Sequence, residues 1–310
     1  MELLHGISIE GVLSAMLRMG APLLFACLGG LFTARAGIIN LALEGIMLMG
    51  AFTSFVGALL SGSLVVGLLA GALGGILTAL VLGFLAINGR ADQTVAGVGI
   101  NIASLGITSY LFKVYFSGQG LMKAPTFSRI EIPLLSDIPV LGWVLFSQNI
   151  LVYSAFLMVP VVWYVLYRTP AGLNLRATGE HPKAVDSLGG NVYRLRYFSI
   201  LALGIFAGIG GACLTIGQTG SFAENITAGR GYIALAALIF GHFTPVGSLA
   251  SALIFGFFES LQLRLQTAGA LIPHQFLTML PYVMTLVALT VFIKKSRAPA
   301  AMGKPYYRQD

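Results

Sequence analysis

Apolar runs long enough to cross a membrane follow one another almost without a break along this chain, which limits its possible folds more than any other feature. A membrane-spanning helix needs roughly 20 apolar residues. Such runs fall near 12–32, 38–60, 64–87, 94–116, 144–167, 197–217, 246–265 and 274–293. A shorter run, 230–243, cannot cross alone and reads as a half-helix or re-entrant segment. Inside a bilayer every backbone N–H and C=O needs a partner within the protein, so runs of this length must be helices. The expected fold is all-α, a polytopic membrane helix bundle of about 8–10 spans with re-entrant or half helices. Residues 1–310 read as a single transmembrane domain.

Composition agrees. Hydrophobic residues make up 57% and charged residues 9%, with a mean hydropathy of +0.88. Soluble domains carry about 25% charged residues. The net charge of +7 is not a nucleic-acid footprint, because Lys and Arg sit mostly between the apolar runs. Cys27 and Cys213 fall within apolar runs and read as small core residues, not as a disulfide or a metal pair. Glu2, His5 and Glu10 precede the first run without a basic leader, so no cleavable signal peptide is expected.

Basic residues set the expected orientation. The tail, about 294–310, holds Lys294, Lys295, Arg297, Lys304 and Arg308. The loop of about 168–196 holds Arg168, Arg176, Lys183, Arg194 and Arg196. Both are expected in the cytoplasm. Counting back puts Arg35 and Arg90 inside, and the 117–143 loop and the N-terminus outside, provided that 230–243 counts as a crossing. Pro125, Pro133 and Pro139 keep 117–143 from forming a long helix, so it reads as an outer docking face or lid. In the loop 168–196, Pro182 suits a first helical turn and Gly189-Gly190 a helix stop. A short amphipathic helix from Pro182 to Leu188 is expected there, on the membrane surface. It would either meet a partner or only fix topology by charge.

Polar residues within the apolar runs are few. In the segment 37–52, GIINLALEGIMLMGAF, Asn40 and Glu44 are four apart and share a helix face. An acid so close to an apolar run marks either a pathway or a structural pair or cap, with Arg35 as one possible mate. Asn101, Ser104 and Thr108 line one face of 94–116, to touch a polar solute or bond a neighbouring helix. Gly67, Gly71 and Gly75 form a stripe for close helix packing. Gly229-Arg230-Gly231 opens the short apolar helix, whose N-terminus points into the protein as in broken helices that face solutes. His242 reads as a turn residue. The segments 37–52 and 229–243 echo each other as a weak internal repeat. The chain has no GxxxxGK[ST], HExxH or suitably placed GxSxG motif, so it is not expected to be an enzyme or to hold a metal or cofactor. If transport is active, another polypeptide must supply the energy.

Three stretches, in order, resemble signatures of bacterial ABC-transporter permeases of the branched-chain amino-acid, ribose and nucleoside class. The first is GLFTARAGIINLALEGIMLMGAF, through Asn40, Leu43, Glu44 and Gly45. It departs from the family's pattern at Ala34, where an acid is usual. The second is GLNLRATGEHPKAVDSLGGNVYRLR, through Arg176, Ala177, Gly179, Pro182 and Ala184. The third is GRGYIALAALIFGHFTPVGSLASALIFGFFE, through Gly231, Ala236, Gly241, Pro245 and Gly247. The pattern looks nearest the nucleoside and simple-sugar importers. The resemblance implies a multi-pass permease of the bacterial inner membrane. Its partners would be a separate ABC ATPase subunit, a homologous permease that is a different chain, a periplasmic or lipid-anchored solute-binding protein, and membrane lipid. It further implies an ATPase-coupling loop with Arg176, Gly179, Glu180, Pro182, Lys183 and Ala184, the coupling helix running from Glu180 to Leu188. Asn40, Glu44, Asn101 and Gln218 are expected to border the solute pathway. The rival classes are an ATP-independent secondary transporter or channel for a similar solute, and an assembly subunit without a pathway.

Overall fold

The computed structural model describes residues 9–116, 122–131, 141–267, 279, 283 and 298–307. The described chain is an all-α bundle with seven helices long and apolar enough to cross a membrane. In order, the elements are α1 Ile9–Arg35, α2 Leu43–Ser61, α3 Leu64–Gly83, α4 Gln93–Phe116, β1 Arg129–Glu131, α5 Leu141–Leu145, β2 Ser147–Asn149 and α6 Ile150–Arg168. They continue with α7 Pro170–Glu180, α8 Pro182–Ser187, α9 Val192–Leu214, α10 Arg230–Phe240 and α11 Pro245–Thr267. Single π-helical turns, Phe84–Asn88 and Thr215–Thr219, extend α3 and α9. Most of the apolar run 274–293 lies outside the described residues.

Local sequence accounts for the boundaries. Asp92 caps α4, its carboxylate accepting the N–H groups of Val95 (3.0 Å) and Thr94 (2.8 Å). Those two bonds, Val95 first, hold its pKa below the usual carboxylate value. Asn149 and Asn191 cap α6 and α9 by accepting N–H bonds from Val152 and Arg194. Gly62 ends α2 at a φ of 67°, in the left-handed region that glycine enters without strain. The apolar run 38–60 becomes helical only at Leu43, because Gly37 turns the chain and Asn40 accepts the N–H of Ala42 (3.0 Å) in a local turn. The run 144–167 likewise starts its long helix only at Ile150. Ser147, Gln148 and Asn149 instead form a strand antiparallel to Arg129–Glu131.

Helices α2, α3 and α9 approach one another closely. A Cβ on Gly50 would sit 2.5 Å from the Gly208 Cα, and one on Gly75 2.7 Å from the same atom. The Gly67–Gly71–Gly75 stripe therefore packs against neighbouring backbones, as small residues do in membrane bundles. Helix α10, with 11 residues, is too short to cross a bilayer by itself. The stretch before α10 is pinned by Phe222, whose ring lies 5.2 Å from those of Phe52 and Phe112. Cys27 and Cys213 are free, buried thiols, and Cys27 bonds the Ala234 carbonyl (3.1 Å).

Gly208→Val should cost roughly 1–3 kcal/mol through overpacking. Gly106→Ala, on an open face of α4 with nothing within 4 Å, should be neutral or slightly stabilising. The thermal unfolding midpoints of the purified variants in detergent check both.

Candidate functional site

Three interrupted pieces of backbone meet in the bundle, and buried polar side chains occupy their junction. Helix α2 begins without a side-chain cap of its own, and α10 begins at Gly229 likewise uncapped by its own residues. Glu44, 7% exposed in the first turn of α2, reaches α10 instead. Its Oε1 accepts the N–H of Gly229 (2.8 Å) and its Oε2 that of Gly231 (2.6 Å). Helix N-termini leave N–H groups unpaired and carry partial positive charge, so a carboxylate serves both needs. Gly231 has to be glycine, because a Cβ there would strike the Glu44 backbone. Arg35 does not pair with Glu44. Its guanidinium donates to the Phe243 carbonyl (2.6 Å) and to the Tyr167 hydroxyl (3.2 Å).

Asn101 joins three segments. Its Oδ1 accepts the N–H of Gly45 (2.8 Å), and its Nδ2 donates to the Leu41 carbonyl and the Tyr232 hydroxyl (2.8 Å each). All the hydrogen-bonding capacity of its NH2 group is thus used at this junction. Asn101, Ser104 and Thr108 lie on the buried face of α4. Asn40, 3% exposed, keeps its Nδ2 without a partner among the described residues. Arg230, at the start of α10, forms an ion pair with Glu259 of α11. Among the described residues, Glu259 Oε2, Arg230 Nε and Thr227 Oγ1 are also buried and unpartnered.

The residues expected at the pathway thus separate. Glu44 and Asn101 meet at the start of α2, and Asn40 lies in the turn that leads into it. Gln218 lies elsewhere, in a cavity of about 410 Å³ lined also by Arg18, Phe127, Arg129 and Asn149. There its Nε2 donates to the Arg18 carbonyl (2.9 Å).

A second site gathers the basic segments. Helix α8 occurs at Pro182–Ser187, where a short helix is expected, and α7 precedes it, capped by Thr169 and opened by Pro170. Glu180, Lys183 and Ala184 are exposed, Pro182 is half-buried, Gly179 is buried against Arg35, and the Arg176 guanidinium lies over the Tyr167 ring (4.8 Å). A cavity of about 850 Å³ is lined jointly by α8 and by residues of 300–307. Arg90, in the turn before α4, stacks on Tyr307 of the same tail (4.5 Å). Among the described residues, no group of three His, Cys, Asp or Glu side chains converges as a metal site would.

Sequence reasoning missed the roles of Tyr232, the Arg230–Glu259 pair and the tail. Arg230 precedes one apolar run and Glu259 lies within another, but their pairing needs the fold. Tyr306-Tyr307, two aromatics amid basic residues, was the available signal for a docked tail.

Comparisons with known proteins are consistent along the whole chain. Residues 12–289 match the family model described as branched-chain amino acid transport system / permease component. The chain is 40% identical to the guanosine ABC transporter permease protein NupQ of Bacillus subtilis (strain 168), over 99% of both chains. It is 37% identical to the nucleoside ABC transporter permease protein NupC of Lactococcus lactis subsp. cremoris (strain MG1363), over 97% of this chain and 98% of that one. It is also 25% identical to the guanosine ABC transporter permease protein NupP of B. subtilis, over 77% of this chain and 70% of that one.

Glu44→Ala orphans two N–H groups and should cost roughly 1–3 kcal/mol for each. Glu44→Gln keeps one acceptor and should lose less. Arg230→Leu leaves Glu259 buried without its mate and should cost about 3–5 kcal/mol. Unfolding midpoints of the purified chain rank the variants.

Proposed function

The chain belongs to the branched-chain amino acid transport system / permease component family, and from this we propose that it is the permease subunit of an ABC importer for nucleosides. The observation that carries the solute class is the full-length identity of 40% with a permease named for guanosine. The buried atoms left without partners among the described residues, Asn40 Nδ2, Thr227 Oγ1, Arg230 Nε and Glu259 Oε2, support it, because open polar atoms at cut helices can replace the hydration of a polar solute. Membership of an ABC permease family favours a separate ABC ATPase subunit as the source of energy. B. subtilis has two permeases named for guanosine, and similarity to both favours pairing with a different, homologous permease.

The end bearing Arg35, Arg90, α7, α8 and the tail faces the cytoplasm of a bacterial inner membrane, and the end with the paired strands β1 and β2 faces outward. A periplasmic or lipid-anchored binding protein delivers solute there, near Gln218. The ATPase presses on α8 through Glu180, Lys183 and Ala184, while Arg176 and Gly179 hold α7 against the bundle. Asn40, Glu44 and Asn101 line the route within the bundle. Gating by rigid displacement of packed helices suits such an arrangement, because a close-packed bundle has discrete states.

The test is uptake of radiolabelled guanosine into vesicles holding this chain with its partner permease, ATPase and binding protein. Uptake should require ATP and be competed by other nucleosides. Gradient-driven uptake by this chain alone would overturn the reading. Lys183→Glu with Ala184→Glu changes exposed positions only and should lower solute-stimulated ATP hydrolysis by roughly five-fold or more, a coupling of the order of 1 kcal/mol.

A further inference from the structure

Residues 300–307 hold together parts of the chain that their own contacts leave loosely joined. Helix α8 has 6 residues, too few to be stable on its own. The tail supports it at both ends. The Ala300 N–H donates to Glu180 Oε2 (3.1 Å) just before α8, and the Tyr306 hydroxyl donates to Asp186 Oδ2 (2.7 Å) in its last turn. The Tyr306 ring packs edge-on against Tyr193 of α9 (5.7 Å) and belongs to a small buried cluster with Val185 and Val192.

Between those two anchors the tail's backbone bridges two further elements. The Ala301 N–H donates to the Gly179 carbonyl at the end of α7 (2.9 Å). The Gly303 N–H donates to the carbonyl of Gly37 (3.0 Å). Gly37 has a φ of 82°, and a Cβ there would lie 3.2 Å from the Ala301 carbonyl oxygen, so the joint admits only glycine without strain. Three residues beyond Gly37 lies Asn40, then Glu44, which caps α10. On the far side, Arg196 donates to the Lys304 carbonyl (3.2 Å), fixing the tail to α9.

We propose that this C-terminal segment is a strut that transmits displacement of α7–α8 to the Gly37 turn and so to α2 and α10, with Tyr306 as the positioning residue for α8. The proposal rests on the reading of α8 as the surface on which the ATPase acts. Removing the strut leaves α8 present but yielding, so ATP is spent with less solute moved. The Tyr306–Asp186 bond sets the stiffness of the joint, and the ring of Tyr306 fixes its position.

The experiment has two arms. Hydrogen exchange on the purified permease reads protection of 182–188 in Tyr306→Phe, Asp186→Ala and Asp186→Asn. In the assembled importer, the number of nucleosides moved per ATP hydrolysed is measured for the same variants, a ratio from which the amount of complex cancels. Tyr306→Phe and Asp186→Ala should each speed exchange across 182–188 and lower the ratio roughly five-fold or more, a coupling of about 1 kcal/mol. Their double variant should fall no further than Asp186→Ala alone, since Tyr306→Phe removes a bond that Asp186→Ala has already removed. Asp186→Asn, which keeps an acceptor for the hydroxyl, should restore both readouts. Unchanged exchange in Tyr306→Phe, or faster exchange with an unchanged ratio, overturns the strut. If the unaltered importer moves no nucleoside with ATP, the functional reading fails, while the exchange arm still decides whether Tyr306 holds α8.

Discussion

A carboxylate near the start of one helix closes the start of another that begins 185 residues later. That bond between Glu44 and the head of α10 is what makes the interior of this bundle possible. Membrane interiors contain no water to take up unpaired backbone groups, so a helix that starts inside the protein needs partners brought by the fold. Glu44 supplies them, and the α10 N-terminus offsets part of the cost of burying its charge. The arrangement in turn fixes α2 and α10 relative to each other, since both oxygens are engaged. Asn101 and Tyr232 extend the same junction to α4, and Arg230 with Glu259 extends it to α11.

Close backbone packing gives the junction a rigid frame. Gly50, Gly71, Gly75 and Gly208 let α2, α3 and α9 pass at distances a side chain would forbid. Such packing has no slack, so motion within the bundle has to move whole helices. A polar junction built at helix ends is then the place where relative movement changes hydrogen-bonding most.

The two ends of the molecule are built differently. At one end α7, α8, the Gly37 turn and the tail are cross-linked by backbone hydrogen bonds and tyrosine rings. Leu188, at the end of α8, is 89% exposed, an apolar residue outside the spanning helices. At the other end the paired strands β1 and β2, two arginines and Gln218 surround a modest cavity.

Much of this was written in the sequence. Hydropathy determined the helical class and most of the spans, because length and apolarity are properties of contiguous residues. Pro182 and Gly189-Gly190 placed α8, and Asn40, Glu44 and Asn101 stood out as polar residues where polarity is costly. What the sequence could not assign was their partners. Whether Glu44 pairs with Arg35 or caps a helix, and which helix, depends on segments brought together across 185 residues. The separation of Gln218 from the other three, the strand at Ser147–Asn149 and the docking of Tyr306 on Asp186 were likewise decided by tertiary structure alone. The physical reason is the same in each case. Burial from water is legible residue by residue, but a hydrogen bond needs two groups in one place, and only the folded chain fixes which two.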